Sequence, residues 1–218
     1  IFYFFDAIKT IKDNIFTLKS YNTDSDLIII HLQILIYCDN WKMKENLIVT
    51  GGLGFIGSNL IKLLIKKNYS VINIDNNSYS SNFYNLKKFK KNKNYKLIKC
   101  NINNKNKLVN VFKKYKPIAI FNLAAETHVD RSIDSPRAFI ESNIVGVFNL
   151  LEAFRDYFKK SKKTKLIHIS TDEVYGDILK GRTNEEYPYR PSSPYAASKA
   201  SSDHLVSSYI RTFDIPAI

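Results

Sequence analysis

Leu47-Ile48-Val49-Thr50-Gly51-Gly52-Leu53-Gly54-Phe55-Ile56-Gly57 is the stretch whose reading decides the fold. Its first four residues read as a short buried strand, and the glycines that follow read as a turn. From Ser58 to Lys67 the apolar positions recur at helical spacing, and Val71-Ile72-Asn73-Ile74 gives a second strand that stops at Asp75. Strand, glycine turn, helix, strand and an acid about twenty residues on make the fingerprint of a dinucleotide-binding βαβ unit. The glycines permit the tight turn and a close backbone approach, and the helix N-terminus offers N–H groups to a pyrophosphate. Gly51, Gly54, Phe55, Ile56 and Gly57 are therefore candidate cofactor contacts. Asp75 is expected to accept both hydroxyls of an adenosine ribose. A 2′-phosphate would be repelled there and no arginine follows at once, so NAD is favoured over NADP.

Working outward, Asn76–Lys96 is a lysine-dense loop with a short helix around Asn82–Lys91, its charges a solvated face. Leu97–Ile102 reads as a third strand and Lys105–Lys116 as a helix closed by Pro117. Ile118–Leu123 is a fourth strand ending in Ala124-Ala125, where small side chains would let a cofactor approach the backbone. Ser135-Pro136 is an N-cap and N1 pair. It opens a long helix, Arg137–Phe158, with Phe139, Ile140, Ile144, Val147, Leu150, Leu151 and Phe154 at core spacing. Leu166–Ser170 is a fifth strand, Tyr195–Ile210 another helix, and Ile215–Ile218 the start of a sixth strand. Strands alternating with helices predict an α/β fold with a doubly wound parallel sheet.

The remaining composition excludes more than it assigns. The chain has 218 residues, 44% of them hydrophobic, so a packed core is expected. A net charge of +13 raises nucleic-acid binding, but no basic motif with interleaved aromatics is present, and the charge suits an anionic ligand. Cys38 and Cys100 are too far apart in sequence to suggest a disulfide framework or a zinc cluster, and a reducing, cytoplasmic setting fits. His31, His128, His168 and His204 have no metal-ligand spacing, and His168 reads as a satisfied core residue. No metal is expected. Residues 1–42 differ from the rest. Their apolar run Leu27–Cys38 is too short to span a bilayer and is interrupted by His31 and Gln33. A packed helical extension, a targeting segment and upstream sequence ahead of a start at Met43 compete, and the last is favoured. Residues 43–218 are read as a nucleotide-binding domain.

Two constellations carry chemistry. Leu166-Ile167-His168-Ile169-Ser170 runs into Thr171-Asp172-Glu173-Val174-Tyr175-Gly176, a strand that ends in a hydroxyl and two carboxyls. Open α/β sheets place their chemistry at such strand ends. Adjacent carboxyls can divide acid and base roles if their environments separate their pKa values, although Asp-Glu after a strand is more often a solvated turn. Downstream, Tyr195-Ala196-Ala197-Ser198-Lys199 places a phenol and an ammonium on one helix face. That cation, and a positive nicotinamide, would lower the phenol's pKa, so Tyr195 could take a hydroxyl proton while hydride leaves carbon.

Together these blocks resemble the extended short-chain dehydrogenase/reductase superfamily and, within it, the dTDP-glucose 4,6-dehydratases. The resemblance also rests on Leu123-Ala124-Ala125-Glu126-Thr127-His128-Val129-Asp130-Arg131-Ser132 and on Phe139-Ile140-Glu141-Ser142-Asn143-Ile144-Val145-Gly146, and it covers Lys44–Ile218. It implies a Rossmann-type fold that stops short of the family's C-terminal substrate-binding part. Tyr195 would be the oxidising base, and Lys199 would bind the nicotinamide ribose and tune Tyr195. Thr171 would hold the sugar O4, Glu173 would remove the C5 proton, and Asp172 would protonate the departing C6 hydroxyl. NAD would be a retained catalytic cofactor. Its further contacts would be Asp75, Asn76, Asn77 and Ser78 at the ribose, Asn101 and Ile102 at adenine, and Leu123, Ala124, Ala125, Glu126, Thr127 and Ser142 along the groove. Thr127 would also lie near the sugar. At Asn101 the family usually has aspartate; an amide oxygen could still accept from adenine. Leu53 replaces a usual alanine. The resemblance also implies a homodimer through a four-helix contact, with no nucleic-acid or membrane partner. UDP-glucose is the alternative substrate, and a fragment that binds NAD without turnover is the alternative of another class.

Overall fold

The computed structural model describes residues 45–159 and 163–218; the readings of residues 1–42 and of Met43 lie outside the described residues. Five parallel strands form one sheet in the order β3-β2-β1-β4-β5. They are β1 (Asn46–Thr50), β2 (Ser70–Asp75), β3 (Tyr95–Lys99), β4 (Ala119–Asn122) and β5 (Lys165–His168). Between them run α1 (Phe55–Lys66), α2 (Lys105–Tyr115), the short α3 (Val129–Asp134) and α4 (Pro136–Phe139), then α5 (Gly146–Phe158). Helix α6 (Pro194–Phe213) follows β5. Beyond it the chain returns beside β5, where Leu166 donates to the Pro216 carbonyl at 2.9 Å and bridges to Ala217 in parallel. The expected sixth strand thus begins where a 3-2-1-4-5-6 order requires it, and the Rossmann-type reading holds.

Alternation along the strands feeds two layers. Ile48, Ile72, Ile74, Ile120 and Leu166 pack with Leu108 and Phe112 of α2, Leu150, Leu151 and Phe154 of α5, and Val206 and Tyr209 of α6. Leu60, Ile61 and Leu64 of α1 are buried as well, under 4% exposed. Truncating a side chain such as the fully buried Phe112 costs about 3–5 kcal/mol, whereas an exposed helix pair such as Arg137–Glu141 is worth about 0.3–0.5. Packing therefore holds these layers, and surface charge contributes little.

Four local expectations need correction. Helix α1 starts at Phe55, inside the glycine run, because extended Gly54 already serves as its N-cap. Strand β3 starts and ends earlier than Leu97–Ile102, since Tyr95 pairs with Val71 and the chain turns after Cys100. The helix expected over Arg137–Phe158 contains a π-helical stretch, Ile140–Val145. Its wider turn breaks the 3.6-residue phase. Ile140, expected in the core, is 44% exposed, and Asn143 is buried in the interior at 1%. Ser135 precedes α4 without a side-chain capping bond.

Candidate active site

Strand β1 lies between β2 and β4, so the turn that leaves it opens at the switch point of the sheet. Gly51 there has φ +67°, and a Cβ on it would stand 2.8 Å from the Ala124 backbone. A Cβ on Gly57 would lie 2.4 Å from the Gly51 carbonyl, whereas one on Gly54 would meet nothing nearer than 3.3 Å. The turn is closed toward the sheet and open at Gly54. Exposed Phe55 and Ile56 flank an α1 N-terminus with no acid in its first turn, so its free N–H groups face no competing carboxylate.

The groove beside this turn is partly filled by the chain itself. Asp75 Oδ2 accepts the Leu53 N–H at 2.9 Å, while Oδ1 accepts the Asn77 N–H at 2.9 Å and the Ser81 hydroxyl at 2.7 Å. A carboxylate has about four acceptor sites. Three are used, so the expectation that Asp75 takes both ribose hydroxyls holds only if Ser81 turns away. Asn76 is exposed and closes an Asx turn onto the Ser78 N–H at 3.0 Å. Asn77 has φ +61° and a buried amide oxygen without a partner, an acceptor left for a ligand. Tyr79 lies under the Arg131 guanidinium at 3.6 Å, which joins the loop following β2 to helix α3.

Asn101 is exposed, and its amide oxygen takes the Asn103 N–H at 2.9 Å. Ile102 was expected at adenine, but its side chain is 4% exposed and packs toward Gly146. Leu123, Ala124, Ala125 and Glu126 are half-buried along the groove, and Thr127 is exposed. Ser142 is half-buried on the π turn.

The second half of the site forms where β5 ends. Thr171 caps a 3-10 turn, Asp172–Tyr175, accepting the Glu173 N–H at 3.3 Å. Pro194 at N1 and the Ser193 side chain, which accepts the Ala196 N–H at 3.0 Å, start α6 so that Tyr195 sits in its first turn. The Tyr195 N–H donates to Ser132 Oγ at 3.1 Å, and its ring meets Phe139 edge-on at 6.2 Å. Its phenol lies near Thr171, whose hydroxyl pulls the phenol's pKa down and donates to Asp172 Oδ1 at 3.3 Å. The structure thus brings Thr171, Asp172, Glu173, Tyr195 and Lys199 to one strand end.

Electrostatics there differ from the expectation in one respect. Burial raises the Tyr195 phenol above its ordinary value, Thr171 pulls it back, and the carboxylates of Glu173, Asp172 and Asp203 push it up again. Lys199 does not offset this, for its ammonium donates to the Ile169 carbonyl. Burial lowers Lys199 itself to about 8, with Asp203 opposing. Partial desolvation, and then Asp172, raise the pKa of the exposed Glu173 above its ordinary value.

Sequence reasoning missed the buried polar line that supports these groups. Thr50 Oγ1 receives the Ala124 N–H at 3.2 Å and donates to Asn122 Oδ1 at 2.6 Å. Asn122 Nδ2 then donates to His168 Nδ1 at 3.0 Å, which assigns the ring proton to Nε2, 3.2 Å from Ser202 Oγ and 3.4 Å from Asp203. Burial lowers the His168 pKa, so it is the neutral, satisfied core residue expected. The available signals were polar residues at strand ends, Thr50 and Asn122, and Asn143 within an apolar period. Among the described residues no group of three or more His, Cys, Asp or Glu could hold a metal ion. No described helix is long and apolar enough to cross a membrane.

Comparisons with known proteins agree with this architecture. Residues 48–218 match a family model described as GDP-mannose 4,6 dehydratase. A dTDP-glucose 4,6-dehydratase of Haemophilus influenzae is 46% identical over 181 residues, covering 79% of this chain and 54% of that protein. A dTDP-glucose 4,6-dehydratase of Bacillus anthracis, solved in complex with NAD, aligns with TM-score 0.69 at 39% identity, over 79% of this chain and 53% of that one. A Streptomyces venezuelae dTDP-glucose 4,6-dehydratase with NAD and TYD bound gives TM-score 0.74 at 36% identity, with the same coverage. The chain spans about half the length of the curated relatives it matches.

Proposed function

The chain belongs to the GDP-mannose 4,6 dehydratase family, and from that premise we propose that it carries the cofactor-binding half and the reacting side chains of a dTDP-glucose 4,6-dehydratase. The observation that carries this reading is the convergence of Thr171, Asp172 and Glu173, on the turn after β5, with Tyr195 in the first turn of α6. A hydroxyl and a phenol serve oxidation at a sugar carbon. Loss of water from adjacent carbons needs in addition one acid and one base, which a simple 4-epimerase does not.

NAD is the proposed cofactor. The open turn at Gly54, the N–H groups of α1, the remaining acceptor site of Asp75 and the unpartnered Asn77 oxygen fit a dinucleotide. Asn76, Ser78 and Asn101 border it at the adenosine end, and Leu123, Ala124, Ala125, Glu126, Thr127 and Ser142 toward the nicotinamide. When bound, NAD would supply the hydride chemistry that links C4 and C6 of the sugar. Tyr195 Oη takes the O4 proton while Thr171 Oγ1 holds that oxygen. Burial holds this phenol high, so it needs positive charge beside it, which the cationic ring of the oxidised cofactor would supply, while Lys199 would bind the nicotinamide ribose. The 4-keto group then acidifies C5. Glu173, whose pKa partial desolvation and Asp172 raise above its ordinary value, takes the C5 proton, and Asp172 protonates the departing C6 hydroxyl.

A homodimer is part of the proposal, paired through the helices around Arg137–Phe158 and Pro194–Phe213, with exposed Ile140 and Phe148, each 44%, at the contact. Cytoplasmic placement is proposed with it. The test is mass spectrometry of dTDP-glucose and UDP-glucose incubated with the chain and NAD. Loss of one water from dTDP-glucose supports the reading, and loss from UDP-glucose alone replaces the substrate. Bound NAD with both sugars unchanged sinks turnover by this chain and leaves an NAD-binding module.

A further inference from the structure

Asp203 lies one turn beyond Lys199 on α6 and faces the end of β5. Its Oδ2 accepts the Ser170 hydroxyl and, at 3.2 Å, the Tyr189 hydroxyl, and its Oδ1 lies 3.4 Å from His168 Nε2. The Lys199 ammonium donates to the carbonyl of Ile169, the residue between His168 and Ser170. Two side chains of one helix therefore grip three consecutive residues of one strand end. Thr171 is the next residue, and it lies near Tyr195, one turn before Lys199.

We propose that Asp203 is a positioning residue of this site: its carboxylate clamps Ser170 and Tyr189 against α6, fixing Thr171 opposite Tyr195, and supplies the counter-charge that keeps buried Lys199 protonated. The inference rests on the reading of Tyr195 and Lys199 as the working pair. The geometry supports it twice. Asp203 collects donors from His168 on β5, from Ser170 just beyond it and from Tyr189 in the segment before α6. Its side chain is only 12% exposed, so water screens the charge weakly. The titratable groups coupled to it are Lys199 and Tyr195 on its own helix, His168 on β5, Tyr175 on the 3-10 turn and Tyr189 on the segment between. Of these, Lys199 is the only cation, because buried His168 is neutral. Asp203 is also the carboxylate that resists the downward pull of burial on Lys199.

The test is an NMR titration of the Lys199 Nζ signal, assigned by its loss in Lys199→Arg, in the whole chain and in Asp203→Asn. The variant keeps the shape and removes the charge. The Lys199 midpoint is expected to fall by about one pH unit; an unchanged midpoint in a folded variant overturns the proposal. Should Asp203→Asn fail to fold, Ser170→Ala combined with Tyr189→Phe decides. Amide exchange of Ile169–Glu173 is expected to quicken at least about tenfold while β1 and β2 stay protected, and unchanged exchange overturns the clamp. NAD binding by the same wild-type sample reports separately on the cofactor reading. Its absence would sink that reading while the Lys199 titration still judges Asp203.

Discussion

Asn143 satisfies both backbone groups of Glu126, accepting its N–H at 2.8 Å and donating to its carbonyl at 2.9 Å. The same amide donates to Ser198 Oγ at 2.9 Å, between Tyr195 and Lys199 on α6. One buried side chain thus ties the loop after β4 to the helix that carries the proposed base. Asn143→Ala leaves Glu126 N–H and carbonyl groups without that partner, and each buried unsatisfied group costs about 1–3 kcal/mol. Chemical denaturation is expected to show a loss of about 2–4 kcal/mol.

The glycines of the first turn are not equivalent. Gly51→Ala forces an L side chain to φ +67° and into the Ala124 backbone at 2.8 Å, whereas Gly54→Ala meets only the Gly51 carbonyl at 3.3 Å. The first is expected to lower stability by about 2 kcal/mol or more. The second leaves thermal stability within about 0.5 kcal/mol, the range of ordinary surface changes, yet weakens NAD binding because the added methyl stands on the open side of the turn. Melting curves with and without NAD separate the two.

Glu173 is raised above its ordinary value of 4.5 by burial and by Asp172. The folded state then binds more protons than the unfolded state between that value and the raised one, so stability from this group is complete below 4.5 and is lost as pH rises through the folded pKa. Glu173→Gln is expected to melt higher than the wild type at pH 7, with the difference vanishing as pH falls below about 4.5. If the chain dehydrates its substrate, the same variant loses about 10²–10⁴ in rate.

Lys199 shifts the other way. Its folded pKa of about 8 lies below the ordinary 10.5, so the unfolded chain holds the extra proton between those values and stability from this group rises with pH across that window. Lys199→Met removes this contribution. Urea midpoints measured from pH 7 to 10.5 are expected to show the wild type gaining on the variant as pH rises; parallel curves would show that Lys199 is not depressed.

Much of this was legible beforehand because the signals are local. The glycine turn, the acid at the end of β2 and the Tyr-Lys pair are spacings within one or two elements, and each falls where expected. Ile140 and the end of β3 were misplaced for one kind of reason. Periodicity assumes regular geometry, and a π turn or an early strand end shifts the phase without any change in composition.

By itself, then, the sequence determined the doubly wound parallel sheet, the glycine turn after its first strand and the strand end that carries Thr171, Asp172 and Glu173. Hydrophobic period and turn chemistry act over a few residues and survive without a partner. Only the tertiary structure decided that Asp75 is already three-quarters occupied by its own chain, that Asn143 faces inward, and that Tyr195 is raised by burial before any cofactor arrives. It alone brought Asp203 onto Ser170, 33 residues away in sequence. Desolvation and hydrogen bonding depend on which element ends converge, and that convergence is a property of the packed sheet and helices.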